Sequence, residues 1–309
     1  MNRGVYMNIL ITGGTGLVGT KLVESFLEED YNVFVLTRGE TNIENNRLKF
    51  INFNPDIPGD LSFCDMLPDN FDTIFNLAGA SLQKPWTDAH KERIYHSRKN
   101  VTQLLINAID QKKFTVKTLV NGSAIGYYPP SRTSHFVEDD VFHPHDFLSE
   151  VVNAWEGIAY KAKDFGVRVV TTRFGLILDK EKGALPLMAL PYRFKAGGKI
   201  GDGEHWYSWI HIEDVINALL FVFANKDIDG PVNFTAPEPV RQKDFSAYLS
   251  SALGQPEFFT TPAFLIKTVL GDMSALVLDS QIILPKVLIE NDFKFLYPTL
   301  DLALDDIYR

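Results

Sequence analysis

The sequence predicts an α/β protein: a doubly wound parallel sheet with a smaller, mainly helical C-terminal lobe. Three observations carry that prediction. An apolar run, Met7-Asn8-Ile9-Leu10-Ile11-Thr12, passes through a glycine-rich turn into an amphipathic helix. Short β-branched runs then alternate with helical patterns as far as Leu178, which is how parallel strands covered on both faces read. Beyond Leu178 the pattern is mainly helical. Residues 7–178 are therefore assigned to the sheet domain, with later segments returning to it, and 179–309 to the C-terminal lobe.

Each element follows from local chemistry. The first helix is predicted over Leu17–Glu28 and the second strand over Asn32–Leu36, with further strands at Leu48–Phe53 and Thr73–Asn76. Between these last two, Pro55, Pro58, Gly59 and Pro68 mark a loop with room for one short helix. A long helix from Asp88 to Asp110 carries Ile94, Val101, Leu104, Leu105 and Ile109 at helical spacing. A strand over Thr118–Asn121 and another over Arg168–Arg173 complete the predicted sheet. In the lobe, Gly183–Lys195 reads as a helix closing over the site, Gly197-Gly198 as a turn, and Gln242–Leu253, Ala263–Leu270 and Asp279–Ile289 as helices.

The glycine turn is the strongest functional signal. Gly13, Gly16 and Gly19 give the spacing G-x-x-G-x-x-G. Gly13 lets the chain bend sharply, Gly16 lets backbone approach a pyrophosphate, and Gly19 lets the helix pack closely on the strand. The helix that follows aims its unsatisfied N–H groups and positive dipole end at the same point, so Thr15, Leu17 and Val18 belong to one anion site. Its position after a strand and before a helix makes this a dinucleotide site on a Rossmann-type sheet. Thr37 and Arg38 close the second strand. An NAD site ordinarily carries a carboxylate there, whereas a guanidinium suits a bidentate contact with a 2′-phosphate. Arg38 thus favours NADP over NAD, with Glu40 left as an alternative ribose partner.

Ligands in such sheets bind at the carboxyl ends of strands, which makes the backbone of Leu77, Ala78 and Gly79 a further cofactor contact. Arg93 and Arg98, on the long helix, are candidate anion ligands, but from spacing alone a solvated charged face is the favoured reading. After Asn121 comes a hydroxyl cluster, Ser123, Tyr127 and Tyr128. Hydride transfer to a carbonyl needs a group that protonates the developing alkoxide, and these three are the candidate catalytic residues. His143 and His145 rank after them. The aromatic loop of His205, Trp206, Tyr207, Trp209 and His211 is read either as a pocket wall or as lobe packing, with His211 and Asp214 starting a helix.

Composition bounds the alternatives. The chain has 309 residues, 45% hydrophobic and 22% charged, ordinary for a globular protein. A net charge of −9 argues against nucleic acid or an anionic membrane as partner and leaves a small-molecule substrate, with a homodimer open. Cys64 is the only cysteine, so no intrachain disulfide forms and a cytoplasmic location is expected. No metal-ligand cluster is expected. The six residues before Met7 read as an alternative start or a leader.

Taken together, Gly13-Gly14-Thr15-Gly16-Leu17-Val18-Gly19, Asn76-Leu77-Ala78-Gly79-Ala80-Ser81, Ser97-Arg98 and Ser123-Ala124-Ile125-Gly126-Tyr127-Tyr128 resemble the extended short-chain dehydrogenase/reductase superfamily. More narrowly, the chain resembles the branch labelled epimerase family protein, NAD-dependent epimerase/dehydratase-like, which sometimes carries a cell-division-inhibitor-like label. The likeness continues through residues 201–214, 234–240, 280–285 and 293–298, so it spans nearly the whole chain from Met7. The resemblance implies NADP held by Gly13, Gly16, Gly19, Thr37, Arg38, Leu77, Ala78 and Arg98, with a contact at Leu176 near the nicotinamide.

One departure stands out. The superfamily's acid is a Tyr-x-x-x-Lys pair on the helix after the serine strand, and by register Phe147 and Val151 stand in its place. A phenyl ring donates no proton and an isopropyl group stabilises no phenolate. Lys161 and Lys163 lie too far along the helix to substitute. Two functions follow from the resemblance: an NADP(H)-dependent oxidoreductase or epimerase lacking the usual pair, or a catalytically weak NADP(H)-binding regulator acting through a protein partner.

Overall fold

In the computed structural model, which describes residues 7–39 and 45–309, the chain opens with β1 (Asn8–Thr12), α1 (Leu17–Glu28) and β2 (Asn32–Thr37). Glu40 and the residues before Met7 lie outside the described residues. Next come β3 (Leu48–Asn52), β4 (Asn70–Asn76), α2 (Asp88–Asp110), β5 (Thr115–Ala124) and α3 (Phe147–Ala159). Among the described residues, seven strands form one sheet in the order Gly230–Phe234, Arg168–Phe174, β5, β4, β1, β2, β3, every neighbouring pair parallel. Chain order reverses at β1, and in such sheets the crevice at the reversal is where ligands bind.

Alternation along the strands sorts the core into two layers. Ile9, Ile11, Val33 and Val35 face α1 and α5 (Ile212–Ala224), while Leu10, Leu36 and Ile74 face α2 and α3. In the first layer Phe26 meets Phe75 and Phe223, each at 5.3 Å between ring centroids. Truncating such a fully buried ring to alanine costs about 3–5 kcal/mol.

The last strand of the sheet, Gly230–Phe234, comes from beyond Leu178, as does α5, so the later chain returns to the core. The rest of the lobe packs α4 (Leu185–Arg193), α6 (Gln242–Leu253) and the helix Leu300–Tyr308 around Trp209, Phe245 and Leu304. Helix α7 spans Ala263–Leu270.

Four local expectations are corrected. Residues Asp279–Ile289 are not one helix. Ile282-Ile283 pair in parallel with His135-Phe136, and helix resumes only at Lys286–Glu290. Pro285 disfavours helical backbone at the residue before it, and burial of both isoleucines favours the bridge. The helix expected over Gly183–Lys195 is shorter at both ends, where Gly183 and Lys195 take φ of +80° and +56°. Gly198 starts a short strand, Gly198–Ile200, paired with Phe259–Thr261, where a turn was expected. The strand expected over Thr118–Asn121 extends to Ala124, so Ser123 lies within it, opposite Arg173.

Candidate functional site

At the end of β1 the chain turns tightly, backbone against backbone. Gly13 takes φ +71°, and a Cβ there would stand 2.7 Å from the carbonyl carbon of Leu77. A Cβ on Gly19 would meet the Gly13 oxygen at 2.2 Å, so helix and turn touch backbone to backbone. Gly16 caps α1 with no side-chain hydrogen bond, and Thr15 and Gly16 are exposed, leaving the helix N-terminus open to a ligand anion. Leu17 and Val18 are half-buried in its first turn.

A polar lattice holds the neighbouring loop against this turn. Thr12 Oγ1 donates to Asn76 Oδ1 at 2.7 Å and accepts from the Ala78 N–H at 3.2 Å. Asn76 Nδ2 in turn donates to Thr102 Oγ1 and Asn121 Oδ1. The strands β1, β4, β5 and helix α2 are thereby locked together around the Leu77-Ala78-Gly79 backbone.

Arg98 reaches the same loop. Its Nη1 donates to the carbonyls of Ala80 and Ile94, and its guanidinium lies 5.2 Å from the Trp155 ring centroid. The residue keeps some accessible surface, yet the charged end is surrounded by protein, and burial depresses its pKa to about 10. Among the described residues no carboxylate pairs with it. A desolvated cation without a counter-charge is costly unless an anion joins it. At the other edge Thr37 Oγ1 accepts from the Gly39 N–H, and Arg38 stands exposed beyond it. Leu176, half-buried, begins a short strand paired with Trp209–His211 just beyond the strand Arg168–Phe174.

The hydroxyl cluster has a different character. Ser123 Oγ donates to Glu156 Oε1 at 2.5 Å. Arg173 grips the same carboxylate with two bonds of 2.9 Å, from Nε to Oε1 and from Nη2 to Oε2. Its Nη1 donates to Tyr128 Oη, which donates to Asn233 Oδ1 at 2.8 Å. Tyr128 is fully enclosed, and burial pushes its pKa well up. Tyr127 accepts the Phe142 N–H at its Oη, and the Arg173 guanidinium lies 3.5 Å from its ring centroid. The three candidate catalytic hydroxyls are thus brought together through Glu156 and Arg173, neither of which was singled out from sequence. Their signal was there: a glutamate inside the apolar run of α3 and an arginine inside an apolar strand.

On α3 Phe147 and Val151, the positions expected from sequence register to stand for the Tyr-x-x-x-Lys pair, are packed. The Phe147 ring meets Trp86 edge-on at 5.5 Å, with the Lys91 ammonium 5.5 Å from its centroid, and Val151 is buried one turn later. Lys91 also pairs with Asp272 of the C-terminal lobe. His143 and His145 are exposed in the loop before α3, whose N-terminus is closed by a reciprocal box of Asp146 and Ser149. His205, Tyr207, Trp209 and His211 are buried in lobe packing, with His211 capping α5, whereas Trp206 is half-buried and donates to the Arg132 carbonyl. No helix among the described residues is long and apolar enough to cross a membrane, and none of their side chains cluster as a metal site.

Comparison with known proteins agrees with this geometry. The model of the NAD dependent epimerase/dehydratase family matches residues 9–234, and a domain of unknown function, DUF1731, matches 261–307. Epimerase family protein SERP0438 of Staphylococcus epidermidis is 42% identical over 300 residues, covering 97% of this chain and 98% of its own. Among solved structures, the human epimerase family protein SDR39U1 with NADPH superposes with a TM-score of 0.86 at 28% identity, covering 98% of this chain and 99% of that one. A nucleoside-diphosphate sugar epimerase from Corynebacterium glutamicum gives 0.77 at 28% identity, covering 98% of this chain but 58% of that one. This chain belongs to the NAD dependent epimerase/dehydratase family, as an extended short-chain dehydrogenase/reductase of the branch called epimerase family proteins.

Proposed function

We propose that this protein binds NADP(H) and is an oxidoreductase or epimerase of a small molecule that works without a Tyr-x-x-x-Lys pair. The observation that carries the reading is Arg98, a desolvated guanidinium with no carboxylate partner among the described residues, set against Gly79 at the sheet's reversal point. The backbone from Gly13 to Gly19 would take the pyrophosphate, Thr37 and Arg38 the 2′-phosphate, and Leu77, Ala78, Gly79, Arg98 and Leu176 the remainder of the dinucleotide. Bound nicotinamide supplies the hydride donor or acceptor. Ser123 is the hydroxyl best oriented to take a proton from a substrate hydroxyl, because its own proton can pass along the existing bond to Glu156 as the new one arrives on Oγ.

A human relative that carries NADPH supports the choice of NADP over NAD. Calorimetric titration with NADPH and NADH tests the cofactor, with tighter binding of NADPH expected. Carbonyl compounds and nucleotide sugars are then screened for oxidation of bound NADPH. Heat with neither nucleotide overturns the reading. The second reading, a cofactor-loaded regulator, is favoured by one feature: Phe147 and Val151 present no proton donor. It predicts tight NADPH binding with no turnover of any class tried, and no loss of that binding in Ser123→Ala.

A further inference from the structure

Helix α7 has the composition of a buried helix and the surroundings of a surface one. Its sequence, Ala-Phe-Leu-Ile-Lys-Thr-Val-Leu, holds one charge, and a helix apolar nearly all round ordinarily lies inside a protein. None of its residues is buried here. Ala263, Ile266 and Leu270 form one half-buried stripe, with Ala263 lying over Gly201 of the lobe. The opposite stripe, Phe264, Leu265, Thr268 and Val269 at i, i+1, i+4 and i+5, is exposed.

The chain leading into the helix is exposed in the same way, at Phe258 and Phe259. Phe258, Phe264 and Val269 show 72%, 65% and 79% of their surfaces. With about 200 Å² for a whole aromatic side chain and somewhat less for an aliphatic one, Phe258, Phe259, Phe264, Leu265 and Val269 together present on the order of 600 Å². That is the top of the range of about 300–600 Å² for the largest apolar patch on an ordinary monomer. Interfaces are about 60% apolar, so this is the apolar share of about 1,000 Å² per partner, and a stable dimer needs about 800 Å².

Two further features of the same stretch indicate what covers it. The strand Phe259–Thr261 pairs on one side with Gly198–Ile200 in a two-stranded sheet and leaves its other backbone edge unpaired among the described residues. Such an edge complements itself, because two copies related by a two-fold axis run antiparallel, edge to edge. Charge permits the approach as well. The chain as a whole carries −9, yet residues 258–271 hold Lys267 as their one charged side chain, at the border of the exposed stripe, so no carboxylate there meets a carboxylate. We propose that this protein forms a two-fold dimer through the outer stripe of α7 and the free edge of Phe259–Thr261. Nothing in the dimer depends on the cofactor reading.

Sedimentation equilibrium of the full chain, at loadings from about 1 to 100 μM, tests it. A species of twice the 34.9 kDa chain mass is expected, strengthened by added salt because screening relieves the repulsion between two acidic chains. Val269→Asp and Phe264→Asp each place a carboxylate in the seam, on side chains that the single chain leaves exposed. Each is expected to weaken the dimer by about a hundredfold or more while far-UV circular dichroism stays unchanged. Val141→Asp, a comparably exposed valine outside the patch, controls for added charge and is expected to leave the dimer intact. Thr260→Cys is expected to give a disulfide-linked dimer on mild oxidation, since the native Cys64 is buried. The proposal is overturned by a chain that stays monomeric throughout, by a dimer that survives both aspartate variants, or by one that Thr260→Cys does not link. It is overturned in favour of a lipid surface if the monomer instead binds phosphatidylglycerol vesicles and either aspartate abolishes that binding.

Discussion

Two regions at the same edge of the sheet are built on opposite plans. The turn from Gly13 to Gly19 is made of backbone: its function rests on what side chains leave out, and the distances that matter run to the carbonyls of Gly13 and Leu77. The network around Arg173 is made of side chains drawn from four places, Ser123, Tyr128, Glu156 and Asn233, with the bonded partners Tyr128 and Asn233 105 residues apart in sequence. A backbone site is a local matter and tolerates no added atom. A side-chain network is a long-range matter, and it tolerates paired replacement better than single loss.

The largest expected effect breaks the first plan. In Gly19→Val, atoms forced toward the Gly13 carbonyl separate turn from helix. NADPH binding should vanish in calorimetry, and denaturant unfolding should show a loss of about 3 kcal/mol or more. Retained affinity would mean that the turn is not the phosphate cradle.

Arg173→Leu breaks the second plan. It strands the Glu156 charge in a buried setting and should cost about 3–5 kcal/mol, whereas the double variant with Glu156→Leu should recover most of that. A double variant no more stable than the single one would show that packing, and not charge pairing, holds this region.

A smaller effect sharpens the contrast by isolating the side-chain part of the cofactor site. Arg38→Ala should weaken NADPH by about tenfold or more and leave NADH unchanged in the same titration. Equal weakening of both nucleotides would remove Arg38 from the 2′-phosphate.

The smallest effect lies where the two plans meet, at a side chain that caps backbone. His211 Nδ1 accepts the Glu213 N–H at the start of α5, while Nε2 stands 3.4 Å from Asp306 without a hydrogen bond. Burial lowers its pKa against the opposing pull of Asp306. A lowered folded-state pKa means the unfolded chain binds the extra proton first, so stability is full above the ordinary imidazole value of 6.5 and falls as pH drops below it. Buried His205 is shifted the same way and adds to the slope. His211→Asn, which retains a capping oxygen, should flatten the pH dependence of the unfolding free energy between about pH 6.5 and 5. An unchanged slope would assign the effect elsewhere.

Legibility in the sequence follows the same division. Helices α1, α2, α6 and α7 were readable to their end residues because periodicity and turn residues are local. The stretch Asp279–Ile289 was misread because its partner, His135-Phe136, lies far away in sequence, and a two-residue bridge leaves no periodic trace. Ser123, Tyr127 and Tyr128 were picked out as hydroxyls at a strand end, but spacing could not show that Glu156 and Arg173 occupy their reach.

By itself the sequence determined six of the seven strands of the sheet and the glycine turn after the first, since each depends on residues adjacent in the chain or one helical turn apart. Only the tertiary structure decided that Arg98 has no carboxylate partner among the described residues, that Arg173 neutralises Glu156, and that Glu138 is buried with one oxygen unmet. The physical reason is desolvation: whether a charge is costly, paired or available depends on what surrounds it in three dimensions, and no spacing rule encodes that.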